Sequence, residues 1–364
     1  MADHLGPQIG TSADNYFQSD RDVAIQQSRA AKSRNNSGDP IKCTSKVLCM
    51  LLLTTADVYA YVGESGFLAR KINLATGKTV KTFKGHTGPV TCIGIWFYDG
   101  NEYLITGSWD KTLRKWDVKT KETVNTFSAH TDFVKSMTIA RNEPILYSGS
   151  SDKKIRSWNL VTGKELREFQ GHTRGIEDLC LDESEQYLYS ASSDRHVRKW
   201  NANTGDCLQV FDGHLTSVYC LRLIDEEMWT ASADKTVKRW DLVTGKPDTS
   251  LDHPDFVKCL VVVEPYVITG GRDEDIRIFD IASGKLVKKI EGHFDEVSCM
   301  AVHGTTLYTG SLDCTVRKWS IAAKDLQPSN KAKVAKPVKT KPTTPTMTAE
   351  EEKELEELLA SDDE

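Results

Sequence analysis

Residues 171–201 read GHTRGIEDLCLDESEQYLYSASSDRHVRKWN, and most of the chain consists of copies of this stretch. His172 stands 22 residues before Asp194, and Asp194 stands six before Trp200. Counterparts of this histidine recur every 39 to 44 residues. A period in that range marks stacked supersecondary units, each unable to bury its apolar face alone.

Six copies are clear. They run from His86 to Trp116, His130 to Trp158, His172 to Trp200, His214 to Trp240, His253 to Phe279 and His293 to Trp319. Each carries an aspartate six residues before its last aromatic: Asp110, Asp152, Asp194, Asp234, Asp273 and Asp313. Four residues before each aspartate comes a hydroxyl, namely Thr106, Ser148, Ser190, Thr230, Thr269 and Thr309. A seventh, earlier unit has the same texture of short alternating runs between turns, which predicts strands over 47–54, 57–64, 67–73 and 79–84. It has Ile41, Gly66 and Ile72 where the histidine, aspartate and tryptophan should stand. Terminal repeats are often atypical because they close the array.

A Gly-His opening, a hydroxyl-rich strand, an Asp and a closing Trp-Asp resemble the WD40 repeat, over roughly residues 43–322. The resemblance implies an all-β fold, a seven-bladed WD40 β-propeller with four antiparallel strands per blade around a central channel. Ala129 and Asp252 stand in place of the glycine before His130 and His253, and Phe279 in place of a tryptophan. The expected organisation is a mostly disordered N-terminal arm (1–40), the propeller (41–323), a Lys/Pro-rich linker (324–347) and an acidic tail with a short helix (348–364). In that tail Leu355, Leu358 and Leu359 fall at helical spacing behind a capping box at Thr348 to Glu351. The ring should be completed by a short or imperfect strand, because residues 31–39 are poor strand formers and Pro328 follows Gln327; either terminus could supply it.

The net charge of −5 argues against a protein that coats nucleic acid over its whole surface. Nine cysteines with no C-x-x-C pair, and no signal peptide, fit a reducing compartment, cytoplasmic or nuclear. Cys92, Cys220, Cys259 and Cys299 each follow a repeat histidine by six residues inside an apolar run and read as small core side chains. The longest apolar run, Val47 to Leu53, is seven residues, against about 20 for a membrane-spanning helix.

His, Ser/Thr and Asp at fixed spacing invite a catalytic interpretation, but an active site would occur once and this constellation occurs six times. A buried relay within each blade, Asp to His to Ser/Thr to Trp, accounts for it, with Trp116, Trp158, Trp200, Trp240 and Trp319 as terminal donors. No metalloprotease, phosphate-loop or nucleophile-elbow motif is present. The chain therefore reads as a non-enzyme without cofactor, metal or small-molecule substrate.

What remains is surface. Residues beside the repeat His and Asp should border the channel, on the rim the propeller family uses to bind partners. Trp109, Phe133, Lys135, Tyr219, Phe256, Lys258 and Arg272 form the candidate partner-binding set there. Large aromatics and arginine are favoured at interface hot spots, and together these make a mouth suited to an acidic or Arg/Lys-poor peptide. A second signal is a cation just before the tryptophan, at Lys115, Lys199, Arg239 and Lys318. These lie along the blades with their charge in water, or form a basic belt. The resemblance favours a protein-protein interaction scaffold that holds partner peptides at the channel mouth within a multiprotein complex. The alternative is a nucleic-acid-associated factor of a ribonucleoprotein or chromatin complex, using the belt and the lysine-rich linker on RNA or an acidic partner.

Overall fold

Each blade starts from a β-branched residue that opens its inner strand. Val47, Val90, Val134, Ile176, Val218, Val257 and Val297 are at most 1% exposed. The computed structural model, which describes residues 35–55 and 57–326 together with Gln27 and Ala30, arranges them in seven four-stranded antiparallel sheets. Their inner strands are Val47–Thr54, Val90–Tyr98, Val134–Ile139, Ile176–Leu181, Val218–Ile224, Val257–Val263 and Val297–His303. These define blades 1 to 7 in order. Successive inner strands touch, and the last touches the first, so the sheets close into a seven-bladed β-propeller around a channel. The strands predicted for blade 1 lie within one residue of those observed.

The packing between blades has one recurrent device. Two residues after each opening Val or Ile, past a bulge, the inner strand carries Cys49, Cys92, Ser136, Asp178, Cys220, Cys259 and Cys299. Across the strand pair each faces a glycine or alanine. A Cβ at Gly107 would fall 2.5 Å from the Cys92 sulfur and 2.9 Å from Val134 of the next blade, so the missing side chain is the space that both fill. Burial pushes the Cys92 and Cys220 thiols up to about 12, as befits inert packing groups. All nine cysteines are free.

Closure is made from the N-terminal side. Ile41–Lys42 is a two-residue strand that pairs with Val316 and Thr315 and completes blade 7 as its outer strand. Arg317, 2% exposed, donates to the carbonyl oxygens of Asn35 and Ser37 at 3.1 and 2.7 Å and secures the approach to that strand. The C-terminal boundary lies beyond the expected residue 323. Helix α1, Ala323–Leu326, returns to the propeller and buries Leu326 with Trp319 and Ile321. The expected linker from 327 onward, the acidic tail and most of the N-terminal arm lie outside the described residues.

Candidate functional site: the channel mouth

The repeated polar side chains are internal braces. In blade 4 the His172 ring places Nδ1 2.8 Å from Asp194 and Nε2 2.7 Å from the Ser190 hydroxyl, while the Trp200 indole donates to the same hydroxyl at 2.8 Å. With Nδ1 donating to the carboxylate, Nε2 accepts from the hydroxyl and the hydroxyl accepts from the indole, so each buried group has a partner. The same connections join His86, Thr106, Asp110 and Trp116 in blade 2 and His130, Ser148, Asp152 and Trp158 in blade 3. They recur at His214, Thr230, Asp234 and Trp240 in blade 5 and at His293, Thr309, Asp313 and Trp319 in blade 7. Burial alone would raise the Asp194 carboxyl, but bonds from His172 and from the backbone of Thr173 and His196 hold it well below the usual carboxylate range. Burial lowers the His172 ring, against the opposing pull of Asp194, so the imidazole is neutral near pH 7.

Blade 6 departs from the expected relay. His253 keeps Thr269 at 2.8 Å, but its Nδ1 turns to the Leu251 carbonyl at 3.1 Å and Asp273 pairs with Arg277 instead. Phe279 has no N–H to complete the chain. Blade 1 uses a different tie. Glu64, fully buried, accepts from the Thr44 hydroxyl at 2.7 Å and from the Ser45 amide at 3.0 Å, with the Arg70 guanidinium 2.8 Å away.

The face that carries these loops opens onto the channel. Trp109, Lys135, Tyr219 and Lys258 line it, together with Lys46, Glu177, Glu296 and Leu312. Phe133, Phe256 and Arg272 sit outside the channel wall, on the loops around it. Trp109 of blade 2 and Phe133 of blade 3 are stacked, with centroids 5.0 Å apart and planes 17° from parallel, yet they remain 43% and 38% exposed. Two large aromatics left this open are costly to leave in water and suited to an apolar partner.

The charges differ from an aromatic and basic mouth. Lys135 is paired with Glu177 at 2.5 Å, Lys258 lies over the Tyr219 ring at 3.7 Å, and Arg272 sits over Phe256 with Asp255 at 3.9 Å. Burial raises the Glu296 carboxyl beside them. Deeper in the channel Asp178 binds Arg222 at 2.8 Å. The mouth is thus mixed in charge: Lys135, Lys258, Arg272 and Arg222 each have an acidic or aromatic neighbour contributed by an adjoining loop or strand. Glu296, Asp178 and Arg222 stand three, six and eight residues after their repeat histidines, at positions where the sister units carry unrelated residues, so the sequence alone does not set them apart.

The cations before the tryptophans are not a free belt. Lys115 is 6% exposed, donates to the Leu160 carbonyl of the next blade at 3.0 Å, and lies over Trp96 and Tyr103. Burial pulls its ammonium below the usual lysine range. Lys199 covers the Tyr187 ring at 3.9 Å, Arg239 binds Glu227 and Asp248, and Lys318 binds Asp39. Among the described residues no group of three or more His, Cys, Asp or Glu could hold a metal ion, and no helix is long and apolar enough to cross a membrane.

Comparison with known proteins agrees with this architecture. The family model described as "WD domain, G-beta repeat" matches residues 77–117, 121–159, 163–201, 205–241 and 284–320. Between residues 241 and 284 it passes over the first three strands of blade 6, where the relay is broken. A fission yeast (Schizosaccharomyces pombe) protein described as an uncharacterized WD repeat-containing protein is 34% identical over 94% of this chain and 97% of its own length. Shorter likenesses include the mitochondrial division protein 1 of Mycosarcoma maydis, 33% identical over 20% of this chain and 9% of that protein. Another is the human kinesin-like protein KIF21A, 31% identical over 25% of this chain and 6% of that protein.

Proposed function

Because the chain belongs to the WD40 repeat family, whose propellers generally bind other proteins, we propose that it is a non-enzymatic scaffold in the cytoplasm or nucleus. It holds peptide segments of partner proteins at the channel mouth within a multiprotein complex. The observation that carries this is the stacked Trp109–Phe133 pair, left exposed where two blades meet at the mouth. An aromatic pair fixed by its own stacking loses little side-chain freedom on binding and offers a flat apolar platform. Neighbouring polar groups on Lys135, Glu177 and Ser193 already bond to one another and give that platform a fixed hydrogen-bonding border.

The test is affinity purification of the full chain beside a variant carrying Trp109→Ala and Phe133→Ala, with washes at high salt and with nuclease. Proteins retained by the wild type and lost by the variant, at equal thermal stability, support the scaffold. Equal retention by both removes the mouth from the proposal.

A further inference from the structure

On blades 2 to 5 the residue after the relay aspartate is a cation, and while Lys235 of blade 5 donates to the Pro254 carbonyl at 3.2 Å, three others remain: Lys111, Lys153 and Arg195. The three share one backbone conformation, with φ of 70°, 73° and 73°, so they occupy equivalent positions on the tip of the same turn. All three are exposed, and none of their side chains has an ion pair or hydrogen bond among the described residues. Arg174, exposed and likewise without a side-chain partner, joins them. Its neighbour Gly175 is packed against Ser151, two residues before Lys153. The aspartate under each turn is committed to its own histidine and to backbone donors. Other carboxylates nearby are engaged as well: Asp132 accepts from the Phe133 amide and Asp212 faces His196 at 3.6 Å. On blade 6 the equivalent position is Glu274, and the cations of that rim are paired: Arg277 with Asp273 and Asp275, Lys289 with Asp275 and Glu291.

The loop face is therefore polarised. An arc of unpaired cations covers blades 2 to 4, and the Trp109–Phe133 platform lies at its start. We infer that this arc binds an acidic peptide segment of a partner protein, carrying at least one large apolar side chain that seats on Trp109 and Phe133 while its carboxylates run along Lys111, Lys153, Arg174 and Arg195. Unpaired positive charge faces unpaired negative charge, which steers encounter and fixes orientation. The carboxylates of the inner border do not offset this charge, since Glu177 is bonded to Lys135 and Asp178 to Arg222; an RNA, whose phosphates the same cations attract, is the competing outcome of the test. This inference rests on the mouth being a peptide site and adds the chemistry and course of the peptide.

The experiment titrates the full chain with a labelled twelve-residue peptide of Asp and Glu around one central leucine. Its companions are the same peptide with serine at the centre and a labelled single-stranded RNA of equal length. The leucine peptide should bind saturably, and more weakly as rising salt shortens the Debye length below about 10 Å. The triple variant Lys111→Glu, Lys153→Glu, Arg195→Glu should weaken it about tenfold or more, with its melting temperature unchanged because all three side chains are exposed. Serine at the peptide centre and Trp109→Ala should each weaken it too. No saturable binding, or affinity untouched by the triple reversal, overturns the inference. If Trp109→Ala abolishes binding while the reversal does not, the charge assignment fails and the peptide mouth stands. Tighter binding of the RNA, lost on the same reversal, makes the arc a nucleic-acid surface and overturns the inference.

Discussion

His253 and Asp273 have the 20-residue spacing of the bonded pairs His214–Asp234 and His293–Asp313, yet they do not bond to each other. Two substitutions explain this. In the five intact relays the residue after the histidine donates its amide to the aspartate, as Thr173 does to Asp194 at 2.9 Å. In blade 6 that residue is Pro254, which has no N–H. In the intact relays a serine two residues before the aspartate also accepts its amide, as Ser192 does at 3.1 Å. Blade 6 has Gly271 there. Without either anchor Asp273 turns to Arg277.

The two aspartates should therefore differ in what they contribute. Asp194→Asn leaves a buried histidine N–H facing a weaker acceptor and removes a charge-assisted bond, at an expected cost of about 2–3 kcal/mol. Asp273→Asn, which leaves Arg277 with Asp275 still 3.5 Å away, should cost less, about 1 kcal/mol. Urea denaturation of the two variants checks the difference, and equal costs would show that blade 6 carries a working relay in solution.

Much of this architecture is legible in the sequence because a period needs only comparison among copies. His172, Ser190, Asp194 and Trp200 recur in phase, and that phase alone predicts which atoms meet. Blade 6 misled because its histidine and aspartate are retained, while the loss lies in Pro254 and Gly271, the donors and acceptors around them. The mouth was harder to read. Trp109 stands out as an aromatic where its sister units have Ser, Ala, Arg or Leu, but Lys135 looks like a free cation until Glu177, 42 residues away, is folded against it. Lys115 looks like a surface charge until Leu160, Trp96 and Tyr103 enclose it. These contacts between blades leave no periodic trace, because each is made once, unlike the packing of the inner-strand cysteines.

Stability should fall as pH drops from about 6.5 toward 4. His253 is lowered to about 4 by burial, and burial lowers His172 and His293 too, so in this window the unfolded chain binds protons that the folded chain refuses. Their contribution is complete above the unfolded value and lost as pH falls through the folded one. For His253 this amounts to at most about 3 kcal/mol. Denaturation midpoints measured between pH 7 and 4 should show the decline, and His253→Asn, although destabilising, should make it shallower. A slope unaltered by that change would assign the decline to other groups.

Ser136→Cys should stabilise the protein. Ser136 is 4% exposed and its hydroxyl has no partner, in a niche against Gly149 that five other blades fill with a cysteine at the matching position. A thiol there costs less to leave without a strong hydrogen bond and fills more of the space. The expected gain is about 1 kcal/mol, read as a higher thermal midpoint under reducing conditions. A lower midpoint would mean that blade 3 is too tight at Gly149 for the larger sulfur.

Glu64 is the position where the ring should fail most readily. The segment Cys43 to Lys46 leaves the closing strand of blade 7 and enters the inner strand of blade 1, so whatever holds it holds the two ends of the array together. Glu64 fixes that segment through Thr44 and Ser45, and the Ser45 hydroxyl in turn accepts from the Gly66 amide at 2.8 Å. Its carboxylate is fully buried and faces Arg70. In Glu64→Gln the amide nitrogen opposes donors it cannot accept from, and Arg70 is left buried without its counter-charge. The expected loss is about 2–4 kcal/mol, against about 0.5 kcal/mol or less for the exposed Asp57→Asn. If closure depends on this tie, the Glu64→Gln variant should also release the strand Ile41–Lys42 before global unfolding, visible as early amide exchange at Cys43, whose N–H bonds the Cys314 carbonyl at 2.8 Å. Exchange there that tracks global unfolding in both proteins would place the strength of closure in the Val47–Gly310 packing instead.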